Sequence, residues 1–349
     1  MFDGGYITED CLTMDIYRPA VSEGAGILFW IHGGGFINGD ATIYNGIEQA
    51  KRGNIVVIIQ YRLGVFGFMN LFDTETGTAR GGNYGLMDQQ LALKYVFDNA
   101  AAIGGDPNKI TLNGESAGAM SVALHLLHDD SGKTLYIVET EIIKLKCCLV
   151  RYISAAIAQS GSSTNAFIFE PAQLSPASNQ MWHTICGMVD ACVLNETYDG
   201  SLAASRVYVE TLATASPVDI WVGALISFFG FIGPISNDGV FFTSDPRPRI
   251  YQNDVPTNVP YFITVNSYEG SLLDAEFLFP NGFSTEAFGA VMGISDINPL
   301  WEQWLSAYNS ASGTTITDMS KLGCFWTDTN LTIVDCHTLK IKIKRNTLG

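Results

Sequence analysis

Gly114-Glu115-Ser116-Ala117-Gly118 sets one serine between two glycines. Lys109 to Leu112 (KITL) reads as a short strand before it, and Ala117 to Leu127 as a helix after it. A serine hydroxyl is a weak nucleophile until its surroundings activate it. A tight strand-to-helix turn pushes it out over a sheet edge, and the helix N-terminus favours negative charge developing there. The glycines fit a turn too tight for side chains. The chemistry such a serine offers is attack on a carbonyl carbon, which needs donors for the oxyanion that forms. His32-Gly33-Gly34-Gly35-Phe36 follows an apolar run, Gly26 to His32 (GILFWIH). The N–H groups of Gly34 and Gly35, with that of Ala117, are the expected oxyanion hole, converging with Ser116 Oγ on one cavity. His32 precedes the glycine turn and reads as a structural strand-end histidine.

These residues need a scaffold. Asn54 to Arg62 (NIVVIIQYR) is a second strand, rich in β-branched residues. Asp88 to Asn99 is an amphipathic helix with Leu91, Tyr95 and Val96 on one face, and Gly104-Gly105-Asp106-Pro107 stops it. Val259 to Val265 (VPYFITV) is a further strand. Near-continuously apolar strands alternating with helices predict a mostly parallel sheet covered on both faces, in a single α/β domain over residues 1–349.

Composition narrows the function classes. The chain has 349 residues, is 47% hydrophobic and 15% charged, and carries a net charge of −16. A phosphate backbone would be repelled, so no nucleic-acid partner is expected. The longest apolar run, Trp221 to Gly233, is too short to span a bilayer, so no integral membrane segment is expected. The first residues lack the basic and apolar regions of a signal peptide, which points to a cytoplasmic protein or to a true start lying upstream. Nothing calls for a cofactor, and no CxxC pair marks a metal or redox site. Cys186 and Cys192 have a spacing that fits either a small disulfide loop or two unrelated thiols. Asn195-Glu196-Thr197 and Asn330-Leu331-Thr332 are glycosylation sequons.

Thr8-Glu9-Asp10-Cys11-Leu12, Asn83-Tyr84-Gly85-Leu86-Met87-Asp88-Gln89 and Ala156-Ile157-Ala158-Gln159-Ser160-Gly161-Ser162 occur in order around the elbow. Together these segments resemble the type-B carboxylesterase and lipase family, which includes the cholinesterases and many fungal lipases. The resemblance covers most of residues 8 to 285. It implies an α/β-hydrolase fold, incomplete at both ends here, and hydrolysis of small-molecule or lipid carboxylic esters by Ser116, without cofactor or metal. It places the triad acid at Glu269, in Asn266-Ser267-Tyr268-Glu269-Gly270, where it orients a histidine. It also implies a Cys186–Cys192 disulfide, secretion, and a non-catalytic carboxylate at Glu115.

The chain departs from that family at three places. Only seven residues precede Thr8, so an upstream partner for Cys11 is missing. Residues 137–153 have no family counterpart and are expected to lie on the surface as an insert, read as translated non-coding sequence. Residues 334–349 form a tail outside the family. The histidines are 32, 125, 128, 183 and 337. His125 and His128, on the helix after the elbow, read as packed or solvated, and His183 sits near the 186–192 loop. Only His337 follows Glu269, but it lies too early and is followed by Thr338 where the family has glycine, so it is not assigned as the base. The alternative functions are a catalytically inactive truncated esterase and a cholinesterase-like binding protein.

Overall fold

A computed structural model describes residues 10–68, 71–73, 78–128, 135–138, 141–144, 152–161, 233–246, 248–249, 259–266 and 306. Among these, six strands share one sheet: β1 (Met14–Tyr17), β2 (Ala25–Ile31), β3 (Ile55–Ile59), β6 (Gly105–Glu115), β9 (Ala155–Gln159) and β10 (Tyr261–Thr264). Their order is β1-β3-β2-β6-β9-β10. Only β1 runs antiparallel, against β3; every other pair is parallel. Two separate hairpins are β4 (Leu71–Asp73) with β5 (Thr78–Arg80), and β7 (Leu135–Val138) with β8 (Glu141–Lys144).

Strand alternation divides the core into two layers. Ile27, Phe29, Ile31, Ile55, Val57 and Ile59 point into the larger cluster. That cluster also takes Phe68 of α2 (Gly64–Phe68), Leu86, Leu93 and Val96 of α3 (Tyr84–Asn99) and Val122, Leu124 and Leu126 of α4 (Ala117–Leu127). Val56 and Ile58 face the other way, with Leu28 and Trp30 partly buried beside them. Ala41 and Tyr44 cover that face, and α1 (Ile47–Lys51) packs on β3. Both faces are therefore covered, which is why β3 is buried at every position.

Several local expectations need adjusting. The helix expected from Asp88 begins at Tyr84, after Asn83. Its buried stripe runs through Leu86, Gln89, Gln90, Leu93 and Val96, whereas Leu91 and Tyr95 are 65% and 55% exposed. The two glutamines conceal this stripe from a reading that counts only apolar residues. The helix stops at Asn99, and Gly104 closes the following turn at φ 88°. The strand expected at 109–112 extends from Gly105 to Glu115, with a bulge opposite Ala25 to Ile27 that accommodates Pro107. In the segment 137–153, Tyr152 and Ile153 are buried in the main core, with the Tyr152 ring 4.6 Å from that of Phe97. Residues 145–151 lie outside the described residues.

A charged pair fixes the segment after β3. Arg62 donates from Nε and Nη2 to the two oxygens of Asp88, each at 2.8 Å, and its backbone N–H adds a third bond. This two-pronged geometry is the strong form of the ion pair. Asn83 donates to the Ile235 carbonyl and accepts from the Ile235 N–H, both at 2.9 Å, tying residues 233–246 to the start of α3. Cys11 is half-buried, and its thiol is a free one among the described residues. Burial, then the Asp88 charge, push its pKa up.

Candidate active site

The parallel strands end together. Ile31 pairs with Gly114, Glu115 with Gln159, and Gln159 with Thr264. Their carboxyl ends form one edge, where sheets of this kind bind ligands. Ser116 stands at that edge, between β6 and α4, with φ 55° and ψ −121°. A non-glycine residue there costs on the order of 1–3 kcal/mol, and such strain persists only where neighbours enforce it. The enforcing bonds are Ser116 N–H to the Gln159 carbonyl at 2.8 Å and Met120 N–H to the Ser116 carbonyl at 2.9 Å.

The glycines are spatial requirements. A Cβ on Gly118 would run into the Ile31 carbonyl, and one on Gly114 would run into the backbone of Gly118. A Cβ on Gly33 would sit 2.8 Å from the Glu115 carbonyl, 2.8 Å from Glu115 Oε2 and 2.9 Å from Ser116 Cβ. The His32–Phe36 loop and Ser116 therefore share one edge and are in contact. Gly34, Gly35 and Phe36 turn successively at φ 116°, 65° and 63°. Phe36 tolerates its conformation because its ring is fully buried, 5.1 Å from that of Phe68, and its carbonyl accepts from Gly64 N–H at 2.7 Å. Burial of such a ring is worth about 1.5–3 kcal/mol, enough to offset the strain. Ala117, the third expected donor, is the first residue of α4.

Phe36 and Asn38, which packs against Gly34, were not singled out from sequence. The positive φ of a phenylalanine has no local sequence signal.

β10, the strand expected to precede the acid, lies one place beyond β9. Ser160 shares the positive φ of Ser116, at 55°, with its N–H bonded to the Thr264 carbonyl at 2.7 Å. Asn266 Nδ2 reaches Ser160 Oγ at 3.4 Å. Glu269, three residues on, lies outside the described residues, as do Cys186, Cys192, His183 and His337.

The three described histidines are occupied elsewhere, and none hydrogen-bonds Ser116 Oγ. His125 donates from Nε2 to Gln89 Oε1 at 2.8 Å; Gln89 donates to Ser121, and Ser121 donates to the Ala117 carbonyl. Nine residues along α4 from Ser116 is about 13 Å. The His128 ring lies against Phe241 at 4.3 Å. His32 is fully buried at the foot of the glycine loop.

Burial, and secondarily His128, push the His125 pKa down to about 3. An unfolded histidine titrates near about 6.5, so between these values the unfolded chain binds the extra proton and stability falls as the pH drops. By about pH 4.5 the loss is on the order of 2–3 kcal/mol. His125→Gln is expected to remove that share. Urea midpoints at neutral pH and at about pH 4.5 check it, and an identical acid-induced drop in both proteins would contradict it.

The strand order, the covered sheet and the serine on the strand-to-helix turn define an α/β-hydrolase fold. Residues 2–288 match the Carboxylesterase family, and the chain belongs to that family. It is 32% identical to human bile salt-activated lipase over 283 residues, which is 77% of this chain and 34% of that protein. It is 45% identical to rabbit (Oryctolagus cuniculus) liver carboxylesterase 1 over 124 residues, 34% of this chain and 21% of that one. A crystal structure of a carboxylesterase from Geobacillus stearothermophilus superposes with a TM-score of 0.67 at 26% identity, covering 91% of this chain and 59% of that one. The chain thus spans about a third of the human lipase's length. Among the described residues, no helix is long and apolar enough to cross a membrane.

Proposed function

We propose that this chain carries the nucleophile, oxyanion hole and acid of a carboxylic ester hydrolase. The observation that carries the reading is Ser116, held at positive φ on the sheet edge with Gly33 wedged against it. Ser116 Oγ attacks the ester carbonyl carbon. The oxyanion accepts N–H bonds from Gly34, Gly35 and Ala117 while the alcohol departs, and water then releases the acyl group as a carboxylic acid. Glu269 orients a histidine and stabilises it when protonated. No cofactor enters the reaction.

The substrates are small-molecule or lipid esters. This range rests on family membership and on relatives named as a lipase and a liver carboxylesterase. The same relationship supports secretion and a Cys186–Cys192 disulfide, while residues 137–153 are read as an insert and 334–349 as a tail outside the family. Neither nucleic acid nor a membrane-spanning segment belongs to the reading.

The test supplies the base. The histidine-bearing C-terminal part of a related carboxylesterase is fused after residue 333, with 137–151 removed. Turnover of nitrophenyl esters is expected to appear, and Ser116→Ala is expected to abolish it. A folded fusion without turnover on any acyl length would overturn the reading.

A further inference from the structure

We propose that His32 is a positioning residue that aims an oxyanion-hole donor: its ring holds the Gly33 carbonyl, which fixes the direction of the Gly34 N–H. The proposal rests on the reading of Ser116 and the glycine loop given above.

His32 is 0% exposed, and its Nδ1 lies 2.9 Å from the Gly33 carbonyl oxygen. A carbonyl only accepts, so Nδ1 donates, and a neutral ring carries its proton there. The ring is stacked on Tyr61 at 4.5 Å and 25°, and the Tyr61 hydroxyl donates to the His32 carbonyl at 2.8 Å. Gly39 closes the other side, because a Cβ there would run into both the ring Nδ1 and the Gly33 carbonyl. Asp40 and Gln60 are the polar neighbours, joined by a 2.8 Å bond from Gln60 Nε2 to Asp40 Oδ1. Burial holds the ring below the ordinary imidazole range, more strongly than the Gly33 bond, Asp40 and Gln60 raise it.

The consequence follows from the planar trans peptide, in which C=O and the next N–H point in opposite directions. Three successive carbonyls are tied: that of His32 by Tyr61, that of Gly33 by the His32 ring, and that of Gly34 by the N–H groups of Ile37 (3.1 Å) and Asn38 (3.0 Å). The Gly34 and Gly35 N–H groups must therefore point away from those partners. Gly33 itself lies against Ser116 Cβ. Backbone hydrogen bonds fix the Gly35 donor; among the described residues, the His32 side chain alone fixes the Gly34 donor.

Two measurements on the full chain test this. With 15N-labelled histidine, the His32 ring, assigned by its loss in His32→Asn, is expected to show the Nδ1-protonated tautomer; an Nε2-protonated tautomer would overturn the proposal. Second, the rate at which a fluorophosphonate modifies Ser116 is compared among variants. His32→Phe keeps the stack on Tyr61 but loses the donor, and is expected to slow modification by about 10–100-fold with an unchanged thermal midpoint. His32→Asn places an amide N–H where Nδ1 stood and is expected to recover most of the rate. Equal rates for wild type and His32→Phe would also overturn the proposal. If wild-type Ser116 takes no phosphonate at all, the nucleophile reading fails, and the tautomer still decides the role of His32. If His32→Phe does not fold, the tautomer and the His32→Asn rate carry the test.

Discussion

The 349-residue chain is expected to hydrolyse a short-chain nitrophenyl ester only about 10³–10⁴-fold faster than water, the residue of catalysis left to an oxyanion hole and binding when a triad member is missing. His32 donates to the Gly33 carbonyl, His125 donates to Gln89, and His128 lies against Phe241. His183 precedes Glu269, the proposed acid, in the chain, and His337 is followed by Thr338. Without a base beside it, a serine hydroxyl is a poor nucleophile at neutral pH. Triad members act as a unit, so Ser116→Ala is expected to change this residual rate little, as is His337→Ala. Ordinary esterase turnover that His337→Ala destroys would show that His337 is the base.

Gly118→Ala is expected to destabilise the protein by about 3 kcal/mol or more and to prevent modification of Ser116. Gly118 lies in the first turn of α4, and adding a methyl group to a helical glycine ordinarily gains up to about 1 kcal/mol. Here the methyl group would run into the Ile31 carbonyl and come within 2.9 Å of the His32 carbonyl. Backbone cannot rotate aside as a side chain can, so α4 must shift and carry Ser116 off the β6 edge. A urea midpoint at or above that of the wild type would contradict the close approach of α4 to β2.

The elbow was legible in the sequence because its requirements are local: a strand, two glycines around a serine, and a helix whose limits, Ala117 to Leu127, agree with the reading. The strands around Leu28, Val57 and Phe262 were legible for the same reason, being short apolar runs between breakers. What escaped depends on distant partners. The early start of α3 at Tyr84 accompanies Asn83 bonding residue 235, 152 positions away. Its buried face includes Gln89, whose amide is satisfied by Ser121 and His125 on another helix. The reading of His32 as structural missed its hold on Gly33, because no spacing rule connects a ring to the carbonyl of the next residue. The β1-β3-β2-β6-β9-β10 order likewise comes from crossovers that local patterns do not encode.

Ser116 as the nucleophile beside a backbone oxyanion hole is tested most directly by mapping a phosphonate adduct. The intact chain is incubated with a fluorophosphonate, digested, and sequenced by mass spectrometry, with Ser116→Ala and a urea-unfolded sample alongside. One adduct, on Ser116 alone, forming slowly in the folded wild type and absent from both controls, is the expected result. An adduct on another residue of the folded chain, or equal modification of Ser116 in the folded and unfolded samples, would contradict it.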